Sequence, residues 1–184
     1  MLYLTAFFIF FALHTVPFNK NIRNIAIGKM GEKPYKLFFR LITISTVALG
    51  VWGWSDFPNV YFYEPSFFMK QVHLLIMLPV LYLWVAAEVP NNLKRYIRHP
   101  MLTGMKLWAL GHLLANGDLR SMILFISFLI FSIIAVVATN KRDVRKVNDP
   151  KPFTYDLGVL LTSLVLYAVI AHFHGNLFGM SVIP

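Results

Sequence analysis

The residues able to do chemistry in this chain are few: six histidines, one lysine inside an apolar run, and a basic Arg98-His99-Pro100 element. Neutral imidazole ligates haem iron and other metals through one ring nitrogen, and the other nitrogen is free to be held by a hydrogen bond. There is no cysteine. That excludes disulfides, thiolate haem ligation, iron–sulfur clusters and cysteine-based zinc sites. His14, His112 and Lys106 all lie within apolar stretches, where an ionisable group is costly and marks a functional site by default.

Those stretches must be membrane helices. The chain has 184 residues, of which 58% are apolar and 14% charged, against about 25% charged in soluble domains. Six apolar segments are read at about 2–17, 37–54, 71–89, 101–115, 119–139 and 155–174. Most approach the 20 or so residues that span a bilayer core of about 30 Å. The expected fold class is all-α: a polytopic membrane helix bundle of about six transmembrane helices, forming one domain over residues 1–184. The first segment has no basic region before it and no small-residue cleavage site after it, so it reads as a membrane helix and not a removed signal peptide. Gly28, Gly31 and Pro34 are expected to break up the first loop, and Pro79 is a possible kink site.

Charge sets the expected topology. Lys20, Arg23, Lys29, Lys33, Lys36 and Arg40 fall in the first loop, Lys94, Arg95 and Arg98 in the third, and Lys141, Arg142, Arg145, Lys146 and Lys151 in the fifth. The second and fourth loops hold one cation each, Lys70 and Arg120. Basic loops face the cytoplasm, so both termini are expected on the opposite side: the periplasm, for a bacterial inner-membrane protein. The net charge of +9 is thereby assigned to the membrane surface and not to nucleic acid. The aromatic second loop, with Phe57, Tyr61, Phe62, Tyr63, Phe67 and Phe68, reads as an interfacial belt.

Depth then sorts the histidines. At about 1.5 Å per residue, His14 lies roughly 18 Å from the outer start of its helix, and His112 roughly 16 Å from the inner start of its own. Both counts reach the middle of the bilayer and place the two within several Å in depth. His73, His172 and His174 fall near the outer face and His99 at the inner surface. His14 and His112 are therefore the expected deep pair, suited to be axial ligands of one iron. The bland alternative for each is a hydrogen bond to a neighbouring helix. Trp108, Gly104 and Ala115 share the face of His112. Lys106 either snorkels to the inner face or pairs with an anionic group such as a propionate.

The run Arg98-His99-Pro100-Met101-Leu102-x-Gly104, followed by Lys106-Leu107-Trp108-Ala109-Leu110-x-His112-Leu113-Leu114-Ala115-Asn116-Gly117-Asp118, closely resembles the NnrU family. So do His14 and the segment His174-Gly175-Asn176-Leu177-Phe178-Gly179. The resemblance covers nearly the whole chain. It implies a small multi-pass protein linked to nitrite and nitric oxide reduction, or, by analogy with the plastid relative 15-cis-zeta-carotene isomerase, haem-dependent isomerisation of a polyene. It implies haem b, carries the ligand histidines onto His14 and His112, and leaves Lys106 or Arg98 to meet the propionates, with Trp108 beside the cofactor. The isomerase has a cysteine three residues before its second histidine; here that residue is Ala109, so no thiolate can exchange with the imidazole. Expected partners are the lipid bilayer and a hydrophobic small-molecule substrate. Two other function classes stand beside this one: a non-catalytic assembly or sensing factor for a respiratory complex, and an S-adenosylmethionine-dependent membrane methyltransferase. The Arg-His-Pro element also resembles the latter, although the basic segment 140–146 stands where those enzymes carry acidic residues.

Overall fold

The computed structural model describes residues 1–144 and 148–179. Its helices are α1 Leu2–Thr15, α2 Lys20–Met30, α3 Glu32–Trp52, α4 Phe67–Glu88, α5 Leu93–Tyr96, α6 Pro100–Ala115, α7 Leu119–Arg142 and α8 Phe153–Phe178, with a 3-10 turn at Val16–Phe18. No strand occurs among the described residues; Tyr61 and Asp118 form one isolated antiparallel bridge. Arg145 and Lys146 of the third basic loop, and the tail 180–184, lie outside the described residues.

Four helices, α3, α4, α7 and α8, are each long and apolar enough to cross a membrane. Only 11–22% of their apolar windows is buried inside the chain, so most of that surface needs lipid to cover it. The chain is an integral membrane protein. The expected count of six needs correction in its details. At 16 residues α6 is about 24 Å long, too short to qualify alone. α1 qualifies only together with α2, and the two are bent by 94°. α2 is the largest departure from expectation: the first basic loop is mostly helix. Asn19 caps it, accepting from the backbone N–H of Asn21 and Ile22, and Gly28 lies within it. Gly31, at φ 84°, makes the break, because a side chain there would be strained. A polar, basic helix at right angles to a membrane helix suits the membrane surface.

The path still runs end to end six times. Arg142 donates from Nη1 to Pro17 O at 2.8 Å, Arg98 donates to Asp143 O, and Asn92 Nδ2 donates to Lys151 O at 2.9 Å. These contacts gather the three basic loops at one end. At the other, Tyr3 donates to Arg120 O at 2.6 Å and Arg120 donates to Trp54 O at 2.9 Å.

The aromatic end is closed by satisfied backbone groups. Phe62 N–H donates to Gly117 O at 2.8 Å and Leu119 N–H to Val60 O at 2.7 Å. Asp118 caps α7, taking the Ser121 N–H at 3.0 Å and its hydroxyl at 2.6 Å. Tyr63 donates to the Leu113 carbonyl at the end of α6. Carbonyls and amides freed by the helix ends are thereby paired, as a position near hydrocarbon requires.

Candidate functional site

The close approach of α4 and α6 decides what His112 meets. A Cβ on Gly104 would lie 2.7 Å from the Trp84 ring, and one on Gly111 would lie 2.6 Å from Met77 Cε and 3.3 Å from His73 Nδ1. Small residues on this face let the backbones come together. They also bring His73 against His112, with ring centroids 4.5 Å apart and planes at 77°. His73 is buried and lies against the backbone of Gly111, and its Nδ1 makes no well-formed hydrogen bond among the described residues. His174 on α8 is close enough to interact electrostatically with both.

Sequence reasoning set His73 apart from His112, and the contact corrects it. His112 was counted from the inner start of its helix. Yet α6 ends at Ala115, three residues beyond His112, or about 4.5 Å. His73 lies six residues inside the start of α4, about 9 Å from it. Counting both from the aromatic end would have paired them.

His14 and His112 are not at one level either. Both touch a single stripe of α7, built from Phe125, Phe128 and Phe131. His112 stacks on Phe125 at 4.6 Å, and His14 meets Phe131 edge-on at 6.2 Å. Those two phenylalanines are six residues apart, so the imidazoles are staggered by about 9 Å along α7. Phe128 lies between them, 5.4 Å from Phe10 and 5.5 Å from Trp108. Phe10 in turn stacks on His14 at 4.0 Å, and Trp108 sits 5.1 Å from His112. An unbroken row of rings therefore connects the two histidines.

Their local chemistry is the same. His14 Nδ1 lies 2.7 Å from Phe10 O, and His112 Nδ1 lies 2.9 Å from Trp108 O. A carbonyl only accepts, so Nδ1 carries the proton in both rings and Nε2 keeps its lone pair. For His14, Thr43 Oγ1 lies 3.0 Å from Nε2 and also 2.8 Å from Phe39 O. One hydroxyl proton cannot serve both acceptors at once. This is the donor arrangement of a metal-ligating histidine, with the second nitrogen fixed by a backbone carbonyl. The residues match haem in donor type, two neutral imidazoles in apolar, aromatic surroundings, but the stagger of about 9 Å with Phe128 between the rings is wider than one iron bridges. Among the described residues, no group of three or more His, Asp or Glu is placed to hold a metal ion.

The other expected site residues scatter. Trp108 joins His112. Lys106, six residues before His112, is turned about 120° away around α6. It is partly exposed, near the exposed Leu110, and makes no hydrogen bond or ion pair among the described residues. That placement suits snorkelling along the helix surface. Arg98 is at the basic end. Ala109, at the position of the isomerase cysteine, is fully buried.

No curated protein and no solved structure matches the chain. The NnrU protein family matches residues 2–182, almost the whole length, and the chain belongs to that family.

Proposed function

We propose that this NnrU-family protein binds haem b, with His14 and His112 as its iron ligands and Trp108 beside the site, the bound form closing the stagger of about 9 Å and displacing Phe128 from between the rings. The observation that carries the reading is the shared tautomer. Each ring gives its Nδ1 proton to the carbonyl four residues earlier, which leaves the lone pair on Nε2, where in His14 it is approached by the Thr43 hydroxyl. Phe10 and Phe131 pack against His14 and Phe125 and Trp108 against His112, and among the described residues Thr43 is the side chain that competes at His14 Nε2. When bound, haem supplies a Lewis-acidic, redox-active iron, suited to nitrogen-oxide chemistry or to polarising a polyene double bond. The protein's part is to hold two neutral imidazoles, keep water out, and offer an apolar approach from the bilayer. With Ala109 in place of a cysteine, ligand exchange to a thiolate is not part of the reading. Orientation follows from charge: the basic end faces the cytoplasm of a bacterial inner membrane, and both termini face the periplasm.

The experiment is the absorption spectrum of the protein purified from haem-replete membranes, with haem quantified against protein. The reading expects a Soret band and a stoichiometric haem b content. A colourless protein that takes up S-adenosylmethionine would replace this reading with methyl transfer.

A further inference from the structure

The basic end holds a cavity of about 440 Å³ that contains neither His14 nor His112 and shares only Phe131 with their surroundings. Its floor is apolar, with Phe18, Phe131 and Ala135 among the residues forming it, and its rim carries Lys94 and Arg98. No carboxylate lines it, and neither cation makes an ion pair among the described residues. Arg98 Nη2 donates to the Asp143 carbonyl, which fixes the guanidinium without neutralising it. The start of α6 opens onto the same rim, since His99 and Pro100 also line it, and no side chain caps that helix. Lys94, Arg98 (whose charge is felt in part by the Asp143 carboxylate) and a helix N-terminus together favour an anionic group. The neighbouring cavity at this end differs: there Arg142 is already paired with Asp143 at 2.7 Å.

The geometry points to this cavity as a binding site for a single-chain amphiphile with a phosphate head. The head sits between Lys94 and Arg98, and the chain runs over Phe18 toward Phe131. At roughly 30 Å³ for each water-sized group the cavity takes on the order of 15 such groups, room for a phosphate head and the first part of one chain, the rest of which lies along the exposed apolar surface beginning at Met101. Position selects an amphiphile, because the rim lies among the basic loops and the floor within the apolar helices. The site is independent of the haem reading, although it assigns Arg98 to a lipid head and not to a propionate.

The test uses the full chain in phosphatidylcholine nanodiscs and radiolabelled lysophosphatidate as probe. Binding is expected to saturate at one per chain. Replacing both rim cations (Lys94→Gln with Arg98→Gln) should weaken it about tenfold or more, as expected for loss of charge-assisted bonds. Arg98→Lys should restore part of it, and Lys29→Gln with Lys33→Gln, elsewhere on the basic end, should leave it unchanged. Lysophosphatidylcholine of the same chain length and inorganic phosphate should compete poorly. Binding that survives the double rim variant overturns the proposal. So does equal competition by inorganic phosphate, which makes it a free-anion site, or by lysophosphatidylcholine, which makes it a groove blind to the head. Loss of haem absorbance in the double variant with lysophosphatidate binding intact would reassign the rim to the propionates.

Discussion

His14 and His112 make the same backbone hydrogen bond and live in different company. His14 sits on the last turn of α1 against Phe10, Phe39 and Phe131, with the Thr43 hydroxyl at its Nε2. His112 sits on the last turn of α6 beside a second imidazole, His73, and an indole, in a helix pair closed tightly on two glycines. The contrast shows that the local bond fixes the tautomer, while helix packing fixes what can reach the free nitrogen. The histidine on α1 is guarded by a side chain that can rotate away. The one on α6 is held by backbones that cannot separate without loss.

Disturbing the α6 side should therefore cost most. Gly104→Ala puts a methyl 2.7 Å from the Trp84 ring and 3.3 Å from Leu83 Cβ. Overpacking of this kind costs about 1–3 kcal/mol, so the thermal midpoint should fall and His112-dependent ligand binding should weaken with it. An unchanged midpoint would mean that the α4–α6 contact is looser than described.

Asp118→Ala tests the cap above the same histidine. It removes both bonds to Ser121 at the start of α7, and loss of such a cap costs about 1 kcal/mol. The comparison predicts a lower midpoint with the His14 side spectroscopically intact.

On the other side, Thr43→Val removes the hydroxyl that competes for His14 Nε2 while keeping the shape. Haem retention should hold or rise, with a change in stability below about 1 kcal/mol. A marked loss of haem would mean that Thr43 positions the ring and does not merely guard it.

The smallest effect is expected at the basic surface. Hydrogen bonds from the Arg142 guanidinium hold the Asp143 carboxyl below its ordinary pKa. Its contribution is therefore present at neutral pH and lost as pH falls through that lowered value. The carboxylate is largely exposed, so screening keeps the contribution at about 0.5 kcal/mol or less. Asp143→Asn should leave the midpoint at pH 7 nearly unchanged and remove only a shallow acid-side slope.

Much of this architecture was legible in the residues. The apolar runs locate α1, α3, α4, α6, α7 and α8 to within about five residues, although only four of them are long enough to span alone. The gathering of Lys20, Arg98 and Arg142 at one end follows from alternating charge. α2 was not legible, because its isoleucines are spaced among cations and it reads as a polar loop until Asn19 caps it. The His73–His112 contact was missed because depth was measured from only one end of a helix too short to span. The stagger between His14 and His112 depends on the register of α7 against two neighbours, which no single segment encodes. The outward turn of Lys106, by contrast, could have been read from helical periodicity alone.

The central claim is that His14 and His112 are the ligands, and the most direct test is the absorption spectrum of each alanine variant at matched protein concentration. The wild type should be low spin, as two imidazole ligands require. His14→Ala and His112→Ala should each give a high-spin spectrum that responds readily to added small ligands, and the double variant should be colourless. His73→Ala, despite its contact with His112, should keep the low-spin spectrum, as should His174→Ala. If His14→Ala is indistinguishable from wild type while His73→Ala loses the low-spin signature, the iron ligands are His73 and His112, and the site lies at the aromatic end between α4 and α6.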